Sequence, residues 1–333
     1  MKGNITLAGN IILDNLKYID TYPPMLQLTA ITRLDKSPGG AICNVGLALA
    51  HLDPELPLRA VGWIGQDDAG DYLLSEFAKH PSMDVSYIRR SGITSFTDVM
   101  TISATGERTF FTHKGADNLL TPEDFPQDSD TAILHIGYAL LLDKLDAPDE
   151  KYGTQMARAL AEAQARGTLT SVDVVSENSE RYRTIVPHAL RYADYITINE
   201  HEAGRITGIT LREGDKLYTE RLPEVCRALR EMGAKRWVVI HMPEVACGLD
   251  ENGEYVQVSA LKLPKGYIIN STGAGDAFAA GILYSIYNEY SLEDALRMAN
   301  ATAACSLSGA YATDGILPAK EAIKLYDTME VQK

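Results

Sequence analysis

The sequence predicts an α/β protein: a mostly parallel central sheet with helices on both faces, plus a small separate β-sheet. Two observations carry this prediction. Short apolar runs of four or five residues alternate with amphipathic helical patterns along most of the 333 residues. Strands separated by helices pair in parallel, because each parallel neighbour needs a crossover. Two segments, 11–36 and 94–113, break that alternation and are assigned to the second sheet.

Taken in order, the buried strands are predicted at 5–8, 60–64, 132–136, 169–172, 195–198 and 237–240, where apolar residues run together. Helical periodicity places helices at 41–52, 70–79, 152–166, 217–232, 275–287, 292–307 and 319–328. Segment 11–36 is apolar and polar by turns, carries Pro23-Pro24 and has no helical period. Segment 94–113 has β-branched and aromatic residues around Thr105-Gly106-Glu107, which reads as a hairpin turn. This divides the chain into an α/β unit (1–10, 37–93 and 115–333) and a β-sheet lid (11–36 and 94–114).

Composition narrows the function. Lys and Arg number 31 against 45 Asp and Glu, a formal net charge of −14. A duplex-binding protein carries a basic face, so no nucleic-acid partner is expected. An acidic chain that binds polyphosphate must use local backbone N–H groups and a bridging cation. Cys43, Cys226, Cys247 and Cys305 are widely spaced with no C-x-x-C pair, which fits a reducing cytoplasm rather than a zinc knuckle or a disulfide scaffold. No apolar run approaches the roughly 18 residues that span a bilayer. No secretory signal is read at the start, so a cytoplasmic protein without a membrane partner is expected.

Three glycine-rich stretches carry the chemistry. In Thr272-Gly273-Ala274-Gly275-Asp276, small residues let the backbone approach a ligand, and the following helix aims its first N–H groups there. Together with the helix dipole they form a pocket for an anion. Asp276, in the first turn, would repel a stationary phosphate, so its useful role is to take a proton from an attacking hydroxyl. Spacing alone equally allows a glycine-rich helix start whose Asp merely favours the dipole. In Gly39-Gly40-Ala41-Ile42-Cys43-Asn44, two glycines open a helix and Asn44 can present its amide to a polyol; the same pattern also fits a plain glycine turn. Gly65-Gln66-Asp67-Asp68-Ala69-Gly70 reads as an N-capping turn.

In this order and at these distances, the three stretches resemble the ribokinase-like, or PfkB, family of carbohydrate kinases, and the resemblance runs from about Asn4 to Pro318. It implies ATP-dependent phosphorylation of an alcohol, with Asp276 as the base and the N–H groups of Gly273, Ala274 and Gly275 holding the charge on the transferred phosphoryl group. It places Asn10, Asp14, Gly39, Gly40, Asn44 and Tyr138 around the sugar. The pair Asn199 and Glu202 matches the family's Asn-x-x-Glu signature for magnesium and phosphate; magnesium keeps most of its waters, so Glu202 is expected to act through one. The resemblance also puts Thr272 at the nucleotide and Asn300 near the adenine. Lys114-Gly115-Ala116-Asp117 resembles a Gly-Ala-Asn segment, with Asp117 in place of Asn. Pairing of lids in related kinases implies a homodimer.

The chain also departs from the family. Asn270 replaces an Asp that helps to hold a monovalent cation in many members, so weak or absent potassium activation is expected. His241-Met242-Pro243-Glu244 replaces a Thr-x-Gly nucleotide loop, and Pro243 has no N–H to offer. No role is assigned after Asp173. The leading expectation is a sugar kinase acting on a primary hydroxyl of a furanose or ketose. A nucleoside kinase, using Phe96, Phe110, Phe111 or Tyr138 against the base, is the alternative, and a catalytically silent sugar-binding regulator is a third. Side chains near Asn15, Tyr18, His113 and Tyr138 would set specificity.

Overall fold

In a computed structural model describing residues 2–177 and 179–332, nine strands form one central sheet. In spatial order they are Tyr255–Ser259, Val245–Leu249, Trp237–His241, Tyr195–Asn199, Leu169–Val174, Thr131–Ala139, Asn4–Ala8, Leu58–Ile64 and Met83–Arg90. The seven from Trp237–His241 to Met83–Arg90 are parallel, and the first two extend one edge antiparallel. The predicted fold class is therefore present.

Side-chain alternation builds two cores, one on each face of the sheet. Ile5, Leu7, Ile133 and Val239 face one way and pack under the helices Gly40–Leu52, Ala274–Tyr287 and Leu292–Leu307. Leu134, Ile136, Ile196 and Ile198 face the other way, against Gln155–Ala165, Tyr182–Leu190, Glu200–Thr207 and Leu222–Met232. Burial of each such Ile or Leu contributes about 1.5–3 kcal/mol.

The second sheet has four strands, in the order Ile31–Gly39, Ile12–Ile19, Ser95–Ile102 and Arg108–His113. The middle pair is parallel, and Arg108–His113 folds back across the Thr105-Gly106 turn. One boundary needs correction. The strand Ile31–Gly39 runs past 36, because Ser37, Pro38 and Gly39 stay in register with Asp14, Leu13 and Ile12.

Some element expectations also shift. The helix predicted over 217–232 starts at Leu222, because Lys216–Leu217 pairs with Arg212–Glu213. The 319–328 helix is two short turns, Ala319–Ala322 and Leu325–Thr328. Among the described residues no helix is long and apolar enough to cross a membrane, and all four cysteines are buried and unpaired.

Asp67 caps the helix Asp68–Phe77 by accepting from Gly70 N at 2.9 Å. The same carboxylate takes Thr94 N at 2.9 Å and the Thr94 hydroxyl at 2.5 Å, and Gly65 N donates to that hydroxyl. One side chain thus fixes a helix start and the point where the chain leaves for the small sheet. We expect D67A to lower unfolding free energy in urea by about 1–3 kcal/mol. A loss below about 0.5 kcal/mol would show that the knot holds neither element.

Candidate active site

Five adjacent parallel strands end along one rim of the central sheet, where α/β folds place their ligands. The strand Asn4–Ala8 leads to Asn10, and the next four deliver Tyr138, Asp173, Asn199 and His241. The last four residues share a cavity of about 180 Å³ with Ser176, Glu202, Gly275 and Asp276.

The 273–276 loop enters this cavity from the helix Ala274–Tyr287. Gly273 sits at φ +81°, and a Cβ there would lie 2.5 Å from the Ala312 methyl, so no other residue fits. Among the described residues no chain acceptor takes the N–H groups of Gly273, Ala274 or Gly275. This is the open helix start that an anion site requires. Asn270 supports the loop from below, its Oδ1 accepting from Thr272 N at 3.0 Å and from Arg108 Nη1 at 2.8 Å. Arg108 also donates to the Thr272 hydroxyl.

Asp276 is buried, and Oδ2 accepts from the Tyr138 hydroxyl and from Asn44 Nδ2, each at 2.9 Å. Burial, and after it the negative charge of Asp173, push its carboxyl up to about 7; the two hydrogen bonds pull the other way. Asn44, expected to offer its amide to a polyol, therefore spends one donor on Asp276. Tyr138 holds a left-handed backbone at φ +61°, unusual for a residue with a side chain. Its N–H donates to Asp173 Oδ1 at 2.5 Å, a contact that holds this conformation.

Sequence reasoning gave Asp173 no role. It is buried beside Asp276, with His135 Nε2 3.3 Å from Oδ2. Its place near the end of a parallel strand was the signal that could have found it.

The residues expected at a sugar gather around the start of the helix Gly40–Leu52. The missing side chain of Gly39 makes room for the Asp14 carboxylate, and that of Gly40 lets the Asn10 carbonyl approach. Burial pushes Asp14 up to about 7, and among the described residues its carboxylate has no hydrogen-bond partner. Asn10 is buried with Oδ1 unpaired, while its Nδ2 donates to Asp117 at 3.4 Å. An orphaned amide oxygen and a partnerless carboxylate fit a ligand rich in hydroxyl donors. Asp117 turns out to position the chain: it accepts from Ile11 N at 3.0 Å and so holds Asn10 in place.

On the other side of the 273–276 loop lies a cavity of about 480 Å³. Apolar Leu261, Leu263, Ile268, Ala304 and Leu307 line it together with Asn300, whose Nδ2 reaches the Tyr326 hydroxyl at 3.1 Å. An apolar cavity bordered by Ala274 and Gly275, whose backbone N–H groups are uncommitted, fits a nucleotide. His241, with Met242 and Pro243, walls this cavity and borders the smaller one. Its ring stacks on Phe278 at 4.8 Å, and burial pushes it down to about 4, leaving it neutral.

Asn199 and Glu202 form a reciprocal cap on the helix Glu200–Thr207: the Asn199 side chain accepts from Glu202 N, and Glu202 Oε2 accepts from Asn199 N, each at 2.9 Å. Burial pushes Glu202 up to about 7. Glu200 is committed to Arg212 at 2.8 Å. Among the described residues no three His, Cys, Asp or Glu side chains converge to cage a metal. Glu202 and Asp173, two carboxylates on one small cavity, suit a hydrated magnesium ion held through its waters.

Residues 14–320 match the model of the pfkB family carbohydrate kinases. An aminoimidazole riboside kinase of Salmonella typhimurium is 26% identical over 284 residues, covering 82% of each chain. A probable chloroplastic fructokinase-6 of Arabidopsis thaliana is 29% identical over 315 residues, 90% of this chain and 76% of that one. The fold superposes on Arabidopsis thaliana ribokinase, solved with ribose and ATP, at a TM-score of 0.81 and 20% identity, covering 98% and 99% of the two chains. With the family model spanning nearly the whole chain, the protein belongs to the PfkB family of carbohydrate kinases, phosphotransferases with an alcohol acceptor.

Proposed function

We propose that the protein is an ATP-dependent sugar kinase that moves the γ-phosphoryl group to a primary hydroxyl of a furanose or ketose. The observation that carries this reading is the Asp276 carboxylate. It is held by two donors, Asn44 and Tyr138, at the edge of a cavity and beside three uncommitted N–H groups.

In this reading the sugar lies against Asn10, Asp14, Gly39, Gly40 and Asn44, with its reacting hydroxyl at Asp276. Asp276 takes the hydroxyl proton as the oxygen attacks phosphorus. The N–H groups of Gly273, Ala274 and Gly275 hold the charge growing on the transferred group. Thr272 and Asn300 flank the nucleotide, while Asn199 and Glu202 face its phosphates. Magnesium, when bound, neutralises phosphate charge, and Glu202 holds it through water. The lid, 11–36 and 94–114, excludes water from the reacting centre.

A riboside acceptor is the second reading. Phe96 and His113 lie side by side on the small sheet, ring centres 5.3 Å apart and planes tilted by 37°, an aromatic pair against which a base can pack. The relatives described above include both a riboside kinase and a probable fructokinase.

A coupled assay of ADP release over sugars and nucleosides is expected to find turnover with one of these acceptors and little change on adding KCl at constant ionic strength. D276N should lose about 10²–10⁴-fold in kcat while still binding sugar and ATP. Sugar binding without turnover on any acceptor would favour a silent regulator instead.

The rate should also report the carboxyl of Asp276. Only the ionised form accepts a proton, so kcat/KM rises with pH and levels off above about 7. The Tyr138 hydrogen bond stabilises the ionised form, so Y138F should move this limb to higher pH. A profile that stays flat between about pH 5.5 and 8.5, in both proteins, removes Asp276 from the role of base.

The proposed quaternary state is a homodimer through the lid. Leu34 and Phe111, which the strand register puts on one face of the small sheet, are at least half exposed, and Met25 and Leu28, in the segment before Ile31–Gly39, are over nine-tenths exposed. Such a patch favours a cover, and a second copy supplies a matching one. Light scattering at about micromolar concentration should give twice the chain mass, and a monomer there contradicts the proposal.

A further inference from the structure

Arg108 opens the outermost strand of the small sheet, Arg108–His113, whose six residues are all exposed. Its guanidinium leaves that sheet and lies against the loop before the helix Ala274–Tyr287. Nη1 bonds Asn270 Oδ1 and the Thr272 hydroxyl, both neutral acceptors. Arg59, Arg158, Arg181 and Arg212 each hold a carboxylate, as expected in a chain with this excess of acids. Among the described residues Arg108 holds none, and its Nε and Nη2 donate to nothing in the chain. A charged fork with free donors is thus held one residue from Gly273.

The neighbourhood lacks positive charge. Neither the 180 Å³ nor the 480 Å³ cavity is lined by a lysine or an arginine. The carboxylates of Asp173, Glu202 and Asp276 crowd the smaller one. Backbone N–H groups orient an anion but do not cancel its charge, and a polyphosphate would bring several more negative charges. A guanidinium matches phosphate oxygens through paired donors.

Resting on the kinase reading, we infer that Arg108 is a catalytic residue, contributed by the small sheet, that contacts the nucleotide polyphosphate through Nε and Nη2. In the step it serves, the acceptor oxygen bonds to the γ-phosphorus and the bond from that phosphorus to the β-bridging oxygen breaks. The hydroxyl proton goes to Asp276, ADP leaves with the electron pair, and Arg108 keeps its protons throughout. Because Arg108 arrives from the sheet that covers the sugar, the charge that assists transfer is in place only when that sheet is seated. Tyr311, which donates to Asp35 of the strand Ile31–Gly39, ties the same sheet to the segment carrying Ala312, and Ala312 backs Gly273.

The test compares R108Q and R108K with the unaltered chain, using calorimetric titration with ADP and with adenosine. R108Q is expected to bind adenosine normally but to lose roughly tenfold or more in ADP affinity, with R108K in between. In the acceptor assay kcat should fall about 10²–10³-fold in R108Q. Added guanidinium ion at a non-denaturing concentration should restore part of that rate in R108A. Equal ADP affinity in all three proteins, or an equal loss for ADP and adenosine, overturns the inference. The titration decides it even if no acceptor is ever turned over, a result that would sink the kinase reading alone. Turnover in the unaltered chain with an unchanged R108Q removes Arg108 and leaves that reading standing.

Discussion

The site depends on one hydrogen bond between residues far apart in the chain, Asn44 Nδ2 to Asp276 Oδ2. Asn44 lies in the first turns of the helix Gly40–Leu52, and Asp276 in the first turn of Ala274–Tyr287. Both helices pack on the same face of the sheet, so the bond locks two helix starts side by side. A buried carboxylate without donors would be costly, whereas two neutral donors keep it in place without fixing its charge. A base needs this balance: an arginine at the same point would hold the carboxylate ionised but weaken its pull on a proton. The neighbouring charge of Asp173 acts the other way and makes the proton welcome.

How a chain of net charge −14 arranges itself for a polyanion follows from the same geometry. Its acids are not kept away from the rim. Asp173, Glu202 and Asp276 all lie on one small cavity. On the kinase reading, attraction comes instead from dipoles and from position: the open N–H groups of the 273–275 turn, and Arg108, which holds no carboxylate among the described residues, brought in from a second sheet. Donors fixed before the ligand arrives need no reorganisation when charge develops. The strained backbone of Tyr138 belongs to this economy, because its N–H anchors Asp173 while its hydroxyl reaches Asp276.

Much of the fold was legible because its signals are local. Runs such as Trp237–Ile240 can only be buried strands, and each lies in the central sheet. What escaped were the edge strands Met83–Arg90, Val245–Leu249 and Tyr255–Ser259, the last two antiparallel, and the short helices Tyr182–Leu190 and Glu200–Thr207. Length and periodicity are weak there. The glycine loops and Asp276 were legible from spacing, and the structure gathers Asn10, Asp14, Asn44, Asn199 and Glu202 around the same rim. Asp173 and Arg108 were not legible, because an isolated Asp ending a strand and an isolated Arg opening a hairpin strand match no local pattern. Their meaning lies in contacts across 35 and 162 positions of sequence.

The 273–276 turn is held from three directions, and the directions differ in kind. From below, the neutral amide of Asn270 accepts Thr272 N. From behind, Ala312 fills the space a side chain at Gly273 would need, and its segment is itself pinned by Asp314, which accepts from Ala310 N and Tyr311 N at 3.1 and 2.9 Å. From the small sheet come Arg108 and, through Tyr311, Asp35. The first two supports are internal to the large domain. The third exists only while that sheet rests on the body. If the turn holds the nucleotide as proposed, it can bind it early and still withhold part of its catalytic power until the acceptor is covered. On the kinase reading, that arrangement would limit transfer to water, since the charge and the shielding arrive together.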